Sequence, residues 1–249
     1  MRAMAKFLDL RDKAIVITGG ANGIGEATVR AFHEQGARVF FCDKDAERGA
    51  ALAKSLGISF QQVDLINERA IVEWTANIKR EAGSIHALIN NAAWDPRISF
   101  LETTTQQWDD LFAVNLRAYF LAARECVPAM PRGSAIINLA SVTFYNTPAR
   151  MVSYVATKGG VIGFTRCLAR ELGPSRIRVN CVSPGWVFTE RQIRDYLTDE
   201  NKQLVQERQC IPDFIQPAEI ADVILFLASD LSAAVTGQEI LADRGWAHS

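Results

Sequence analysis

The chain has 249 residues, and its 27 Lys and Arg against 28 Asp and Glu give a formal net charge of −1. A balance this even argues against binding to nucleic acid or to an anionic membrane, because neutralising phosphates requires an excess of basic side chains. Only three His are present, which argues against histidine-based catalysis, and we expect no bound metal.

Short apolar runs alternate with helix-like segments through the first half of the chain. Asp45 and Asn67 stand where helix N-caps are expected, and glycines follow the predicted helix ends. The predicted strands are residues 13–18, 37–42, 58–63 and 87–90, and the predicted helices are residues 26–35, 45–56 and 67–81.

The second half continues the alternation, with helices predicted at 105–130, 153–172 and 217–228 and strands at 134–139, 177–182 and 239–242. Alternating strands and helices indicate parallel pairing with right-handed crossovers. The sequence therefore predicts an α/β fold, a Rossmann-like doubly wound parallel sheet of about seven strands in three α/β/α layers. Residues 1–249 are interpreted as a single domain, and the irregular, polar residues 186–216 as a loop or lid over a site.

The cysteines and the N-terminus favour the cytoplasm. The five Cys include no C-x-x-C pair, so we interpret them as reduced core thiols of a cytosolic protein. No apolar run approaches the ~18 residues of a membrane span. The segment Met1–Leu10 lacks the uninterrupted apolar stretch of a signal peptide.

A glycine-rich turn, Thr18-Gly-Gly-Ala-Asn-Gly-Ile-Gly25, joins the first strand to the first helix. Glycines at 19, 23 and 25 allow a ligand to approach the backbone closely, and the helix start offers free N–H groups to a pyrophosphate. The alternative is a plain strand-to-helix turn, but the flanking elements and Asp43 favour nucleotide binding.

Asp43 ends the second strand, 18 residues after Gly25. A carboxylate there can accept hydrogen bonds from both hydroxyls of an adenosine ribose and repels a 2′-phosphate, which favours NAD over NADP. The neighbouring Lys44 leaves the use of NADP open.

Tyr154 and Lys158 are four residues apart in a predicted helix and so share one face. An ammonium beside a phenol favours the tyrosinate and lowers the pKa of the tyrosine. The pair can therefore act as a general acid and base without any His, although by itself it also fits an ordinary amphipathic helix.

Taken together, the glycine-rich turn, Asn90-Asn-Ala, Ser141, Tyr154-x-x-x-Lys158 and Ser183-Pro-Gly185 resemble the short-chain dehydrogenase/reductase family across nearly the whole chain. The resemblance implies that Ser141 orients the reacting oxygen and that Tyr154 passes the proton. Lys158 would lower the pKa of Tyr154 and hold the nicotinamide ribose. Asn115 would continue a proton relay through water to Lys158.

The resemblance also implies a set of cofactor contacts. They are Gly19, Asn22, Gly23, Ile24 and Gly25 at the pyrophosphate, Asp43 at the ribose, Asp64 and Leu65 at the adenine, Asn91 and Ala92 along the adenosine, and Pro184, Gly185, Val187 and Thr189 at the carboxamide, together with Tyr154 and Lys158. Two positions depart from the usual family pattern. Ala93 and Arg244 stand where glycine is common, and for Arg244 we expect an effect on packing rather than on chemistry.

Polar and aromatic residues follow three of the predicted strands and suggest a substrate site. We assign to it Asp95, Arg97, Asn146, Trp186 and Gln192, together with Ser141 and Tyr154. Such a mixture suits a polyhydroxy substrate, whereas a steroid or an acyl chain requires a drier pocket. The alternative for each charged residue is an ordinary solvated loop position.

The pattern is similar to the aldose 1-dehydrogenases within the family, which oxidise the anomeric carbon of a sugar to a lactone. Two alternatives stay open: an enzyme acting on another secondary alcohol or ketone of the 3-oxoacyl, polyol or steroid type, and a non-catalytic NAD-sensing protein. An intact Ser141, Tyr154 and Lys158 argues against the second. The resemblance further suggests a homotetramer, formed through the helices at 105–130 and 153–172.

Overall fold

Seven parallel strands form one sheet in the computed structural model, which describes residues 6–248. Their order is β3-β2-β1-β4-β5-β6-β7. The strands are β1 Ala14–Thr18, β2 Arg38–Asp43, β3 Ser59–Gln62, β4 Ala87–Asn90, β5 Ala135–Leu139, β6 Arg178–Pro184 and β7 Glu239–Ala242. The predicted sheet is confirmed, whereas the expectation about a signal peptide rests partly on Met1–Ala5, outside the described residues.

Ten α-helices belong to the described residues. They are α1 Gly23–Glu34, α2 Ala46–Leu56, α3 Glu68–Ala82, α4 Thr105–Phe112, α5 Ala118–Cys126, α6 Thr143–Asn146, α7 Val152–Leu172, α8 Glu190–Tyr196, α9 Asp199–Arg208 and α10 Pro217–Ala228. The predicted caps are confirmed: Asp45 accepts a hydrogen bond from the N–H of Arg48 at 3.0 Å, and Asn67 from that of Ala70 at 3.2 Å.

Alternate residues along the strands bury into two separate hydrophobic cores, as the pleat of a strand requires. Ile15 and Ile17 of β1 belong to a core that includes residues of α1, α2 and α10. Val16 of β1 and Leu88 of β4 belong to a second core with α3, α5 and α7. Helices therefore cover both faces, which gives the three-layer α/β/α architecture that the alternation predicts.

The order in which successive strands are added to the sheet reverses at β1, which pairs with β2 on one side and with β4 on the other. The loops that follow β1 and β4 therefore leave the sheet toward opposite faces, and a crevice opens at their carboxyl ends.

Two stretches differ from the sequence-based prediction. The long helix expected at 105–130 contains a π-helical turn at Ala113–Arg117 and ends at Cys126. Residues 186–216, expected to be irregular, contain the helices α8 and α9. The sequence of these two helices shows no helical spacing of apolar residues, because α9 buries only Val205 and α8 buries no residue. Thr189 and Thr198 cap them.

The cysteine interpretation is correct only in part. All five cysteines are free thiols, and three of them are buried, but Cys167 and Cys210 are exposed and are not core residues. Within residues 6–248, no helix is both long and apolar enough to cross a membrane.

Arg244 adopts a left-handed backbone conformation, with φ +57°, where a residue with a side chain is uncommon. Its guanidinium contacts Glu219 at 2.9 Å and Asp213 at 3.4 Å. The arginine therefore ties the segment after β7 to the first turn of α10. These contacts explain why a residue with a long side chain stands where glycine is common.

Gly25 is a position where the fold requires the absence of a side chain. A Cβ at Gly25 would lie 1.8 Å from the carbonyl oxygen of Gly19, so the turn would have to move. We expect Gly25→Ala to lower the free energy of unfolding by at least about 2 kcal/mol, as measured by urea denaturation.

The matched control is Gly163→Ala, since a Cβ at Gly163 in helix α7 meets no atom within 4 Å. Alanine is a better helix former than glycine, so this variant should gain up to about 1 kcal/mol. Equal effects at the two positions would contradict the assigned clash.

Candidate active site

One continuous cleft of about 1190 Å³ follows the carboxyl ends of the strands. It brings together every residue that the sequence analysis assigned to cofactor, substrate or catalysis except Asn115. Those residues are Gly19, Asn22, Gly23, Ile24, Gly25, Asp43, Asp64, Leu65, Asn91, Ala92, Asp95, Arg97, Ser141, Asn146, Tyr154, Lys158, Pro184, Gly185, Trp186, Val187, Thr189 and Gln192.

Asn91 fixes the glycine-rich turn to the end of β4. Its side-chain amide donates to the carbonyl oxygens of Thr18 at 3.1 Å and Gly19 at 2.8 Å. In return, the hydroxyl of Thr18 accepts the backbone N–H groups of Asn91 at 3.0 Å and Ala92 at 3.2 Å. These four bonds hold the two central loops of the cleft in one fixed relation.

The carboxylate of Asp43 is held by the backbone at the end of β2. One oxygen accepts the N–H of Ala21 at 2.9 Å, and the other accepts the N–H of Asp45 at 3.0 Å. The side chain is 8% exposed and lines the cleft. These contacts keep a negative charge directed toward the position expected for the adenosine ribose.

The residues at this edge fit a nicotinamide dinucleotide. The first N–H groups of α1 have no partner within the helix and can meet a pyrophosphate. Gly23 has φ +56°, and a Cβ there would lie 3.1 Å from Cγ2 of Thr189, at the start of α8. The turn and residue 189 thus face each other across a gap that a side chain at Gly23 would fill.

Ser141 lies at the start of the loop after β5, and its hydroxyl oxygen is already an acceptor. Thr143 donates to it twice, from its backbone N–H at 3.2 Å and from its hydroxyl at 3.0 Å. The hydrogen of Ser141 is therefore directed away from Thr143 and is available to the cleft. Thr143 was not predicted from the sequence, and only its position two residues after the serine could have suggested it.

Burial dominates the proton affinities of Tyr154 and Lys158. It raises the pKa of Tyr154 well above its usual range, and the charge of Asp95 adds to the rise, while a hydrogen bond to Ser141 and the charge of Arg191 oppose it. Burial lowers the pKa of Lys158 to about 7. The amine donates to the carbonyl oxygen of Leu139 at 2.6 Å. The expected lowering of the Tyr154 pKa by Lys158 does not appear in this arrangement, in which burial raises that pKa.

Asn115 is buried in the π-helical turn outside the cleft and contacts the loop after β4. Its side-chain oxygen accepts the N–H of Trp94 at 2.8 Å, and its amide donates to the carbonyl oxygen of Trp94 at 2.8 Å and to the hydroxyl of Thr157 at 3.3 Å. The side chain therefore fixes the backbone of Trp94. Turns of this kind occur frequently at functional sites.

The assigned substrate residues Asp95, Trp186 and Gln192 contact one another across the mouth of the cleft. The guanidinium of Arg191 pairs with one oxygen of Asp95, and the amide of Gln192 donates to the other at 3.2 Å. The oxygen of Gln192 accepts the indole N–H of Trp186 at 2.9 Å. Arg191 was not predicted as a site residue, although it lies between Thr189 and Gln192, which were.

Arg97 lies over the ring of Tyr196, with its guanidinium carbon 3.7 Å from the ring centroid. Its buried Nε has no hydrogen-bond partner among the described residues. Tyr196 ends α8 and was not predicted as a site residue. Asn146 ends the short helix α6 on the cleft wall and is exposed.

The chain is similar to known dehydrogenases over almost its full length. A family model described as enoyl-(acyl carrier protein) reductase matches residues 19–247. A probable galactose dehydrogenase of Rhizobium meliloti is 40% identical, with 97% of each chain covered. A D-xylose 1-dehydrogenase of Caulobacter vibrioides is 39% identical, covering 97% of this chain and 98% of its own.

A crystal structure of a short-chain dehydrogenase/reductase from Brucella melitensis, described as a glucose/ribitol dehydrogenase, is also similar. It superposes with a TM-score of 0.92 at 31% identity and covers 97% of this chain and 99% of its own. The chain belongs to the short-chain dehydrogenase/reductase family. Membership makes it an oxidoreductase that uses a nicotinamide cofactor, NAD or NADP.

Ala93, where the short-chain dehydrogenase/reductase family usually has glycine, is exposed at the cleft surface. The close approach of the two loops falls one residue earlier, because a Cβ at Gly19 would lie 2.7 Å from Cα of Ala92. The extra methyl group of Ala93 is therefore accommodated without crowding this contact.

Replacing Asn115 by the similarly sized Leu leaves both backbone groups of Trp94 without their partner. Each unpaired buried polar group costs about 1–3 kcal/mol, so we expect Asn115→Leu to lower the free energy of unfolding by about 2–4 kcal/mol. Asn77→Leu is the control, because Asn77 is exposed on α3 and bonds only to Gln61 and Arg80. A loss in the Asn115 variant no larger than in the control would contradict the role assigned to this side chain.

Proposed function

We propose that the chain oxidises an aldose at C1 to the corresponding lactone with NAD as the hydride acceptor. The observation that carries the proposal is the polar and aromatic wall formed by Arg97, Asn146, Trp186 and Tyr196 in the same cleft as Tyr154. Hydroxyl groups suit the polar atoms of such a wall, and the face of a sugar suits the rings. The galactose and xylose dehydrogenases among the relatives support the same substrate class.

In this proposal Tyr154 accepts the proton of the anomeric hydroxyl group. Ser141 donates a hydrogen bond to the same oxygen as it becomes a carbonyl, since both of its bonds from Thr143 leave its own hydrogen for the side that Tyr154 occupies. Holding C1 and the proton acceptor in one geometry supplies much of the acceleration. The bound nicotinamide would supply the acceptor for the hydride of C1.

Lys158 holds the nicotinamide ribose in the proposed mechanism, as the family resemblance implies. Its bond to the carbonyl oxygen of Leu139 supports a fixed position for the amine beside Tyr154. Asn115 belongs to the proposed proton relay through water to Lys158, and its bonds to Trp94 support an added positioning role.

The proposal extends to the preferred cofactor and to the assembly. The backbone-held carboxylate of Asp43 supports NAD over NADP, although Lys44 also lines this part of the cleft. We further propose a cytoplasmic location, which the unpaired cysteines favour, and a homotetramer, as the resemblance implies. Exposed apolar side chains on the helices named for it, including Trp108, Phe120 and Val152, support association, and sedimentation equilibrium measures it.

The first test is the formation of NADH over a panel of aldoses, polyols and secondary alcohols. We expect turnover with at least one aldose, and we expect Tyr154→Phe to reduce kcat at least 100-fold, because general acid–base catalysis contributes about 10²–10⁴-fold. Cofactor affinity, measured by fluorescence titration, should change little.

Tyr145→Phe is the matched control, since the hydroxyl of Tyr145 bonds to Glu239 and Tyr145 does not line the cleft. Its activity should remain close to that of the unmodified chain. Absence of turnover with every aldose would refute the proposed substrate class, and an active Tyr154→Phe variant would refute the assigned proton acceptor.

The second test concerns Asp43. Asp43→Asn removes the charge that repels a 2′-phosphate, and its amide accepts fewer hydrogen bonds from the ribose hydroxyls. Bonds to charged groups contribute about 1.5–3 kcal/mol, so the ratio of the Kd for NAD to that for NADP should rise about 10-fold or more. Asp45→Asn, which keeps a good helix cap, should leave the ratio unchanged, and an unchanged ratio in Asp43→Asn would refute the ribose role.

A further inference from the structure

The carboxylate of Asp95 is engaged by two consecutive residues of α8. Arg191 pairs with one of its oxygens and Gln192 donates to the other at 3.2 Å. The side chain of Asp95 is only 17% exposed. A group that the sequence analysis assigned to the substrate is thus already bonded by the protein on both oxygens.

These bonds join two structural units that face each other across the cleft. On one side, Asp95 follows Trp94, whose backbone is held by Asn115 in the turn between α4 and α5. On the other side, Gln192 also accepts the indole N–H of Trp186, at 2.9 Å. Trp186 belongs to the loop after β6, so this loop is tied to the same helix.

Helix α8 has few other means of staying in place. It buries none of its residues, so apolar packing contributes little to its position. At its far end Tyr196 lies against Arg97, and at its first residue Glu190 contacts Arg48 at 3.2 Å in an exposed pair. Exposed pairs stabilise little, so the position of this helix depends more on its half-buried contact with Asp95 than on the pair with Arg48.

Tyr154 lies on the wall of the same cleft as Asp95 and Arg191. Titratable groups of four elements interact with Tyr154: Asp95 from the loop after β4, Arg191 from α8, Lys158 from α7 and Tyr119 from α5. Asp95 favours the protonated phenol and Arg191 favours the phenolate. The two charges that hold the helix therefore act on Tyr154 in opposite directions.

We propose that Asp95 and Arg191 form a latch that holds α8 over the cleft and sets, through their opposed charges, how readily Tyr154 accepts a proton from the substrate. The proposal rests on the proposed function in taking Tyr154 as the proton acceptor. While the latch is closed, the charge of Arg191 offsets that of Asp95 near the phenol. When α8 moves away, Arg191 leaves with it and the carboxylate of Asp95 alone keeps Tyr154 protonated.

Closure of α8 and proton transfer are coupled by this arrangement. The phenolate of Tyr154 forms more readily once the helix has closed over a bound substrate. While the cleft is open, Tyr154 stays protonated and neutral. Arg191 is in this sense a positioning residue, because it acts through Asp95 and Tyr154 and not on the reacting atoms.

The test compares Asp95→Asn, Arg191→Met and the double variant with the unmodified chain. The readout is the pH dependence of kcat/KM for aldose oxidation at saturating cofactor, which rises as Tyr154 loses its proton. We expect the rising limb to move to lower pH in Asp95→Asn and to higher pH in Arg191→Met, each by roughly half a unit to one unit. The double variant should lie between them, and both single variants should raise KM because the latch is lost.

Arg191→Lys and Arg194→Met are the matched controls. Arg191→Lys keeps a cation beside Asp95 and should restore the pH profile of the unmodified chain. Arg194→Met removes an arginine from the same helix that pairs with the exposed Asp195 at 2.7 Å, and it should change neither the profile nor KM. Single-variant profiles that shift in the same direction, or not at all, would overturn the electrostatic part of the proposal.

Hydrogen exchange of residues 190–196 tests the latch without any substrate. In the chain saturated with cofactor, exchange should be several-fold faster in Asp95→Asn and Arg191→Met than in Arg194→Met. Equal exchange in all three would overturn the latch. If no aldose is oxidised, the proposed function fails while the exchange experiment still decides the latch, so the two failures are distinguishable.

Discussion

The contact between the ends of β1 and β4 is the constraint on which the rest of the cleft depends. Asn91 and Thr18 exchange hydrogen bonds that fix the glycine-rich turn against the loop after β4. From this junction the turn leads into α1, whose free N–H groups would meet the pyrophosphate of the cofactor, while the other loop continues to Trp94 and Asp95 on the proposed substrate side. A displacement at the junction would therefore move both binding regions together.

Electrostatics in the cleft follow from burial as much as from pairing. Lys158 is 1% exposed and donates to a carbonyl oxygen, and a buried amine loses part of its preference for the charged form. Tyr154 is likewise disfavoured as an anion by burial. Burial therefore disfavours the charged form of both groups, and the opposed charges of Asp95 and Arg191 act on the pKa of Tyr154 in addition to burial.

The fold could be predicted because it follows simple local rules, whereas most site residues were assigned from the family resemblance, and one cleft brings nearly all of them together. Alternating apolar strands, the caps at Asp45 and Asn67, and the spacing of Tyr154 and Lys158 each depend on residues close in sequence. The features that the sequence did not predict leave no local pattern, either because a helix buries few apolar residues or because the contact joins distant parts of the chain. Helix α9 buries only Val205 and carries no apolar period, and the engagement of Asp95 by Arg191 joins residues 96 positions apart, which no local pattern reveals.

The engagement of Asp95 also changes which groups are left to recognise a substrate. With both of its oxygens bonded to α8, and with the amide of Gln192 donating to Asp95, these two side chains have fewer donors and acceptors left for the hydroxyl groups of a substrate. The buried Nε of Arg97 has no hydrogen-bond partner among residues 6–248, and its guanidinium is held in place by the ring of Tyr196. Since a buried donor without a partner is costly, this position favours an oxygen acceptor, and the ring that holds the guanidinium belongs to α8, the same helix that binds Asp95.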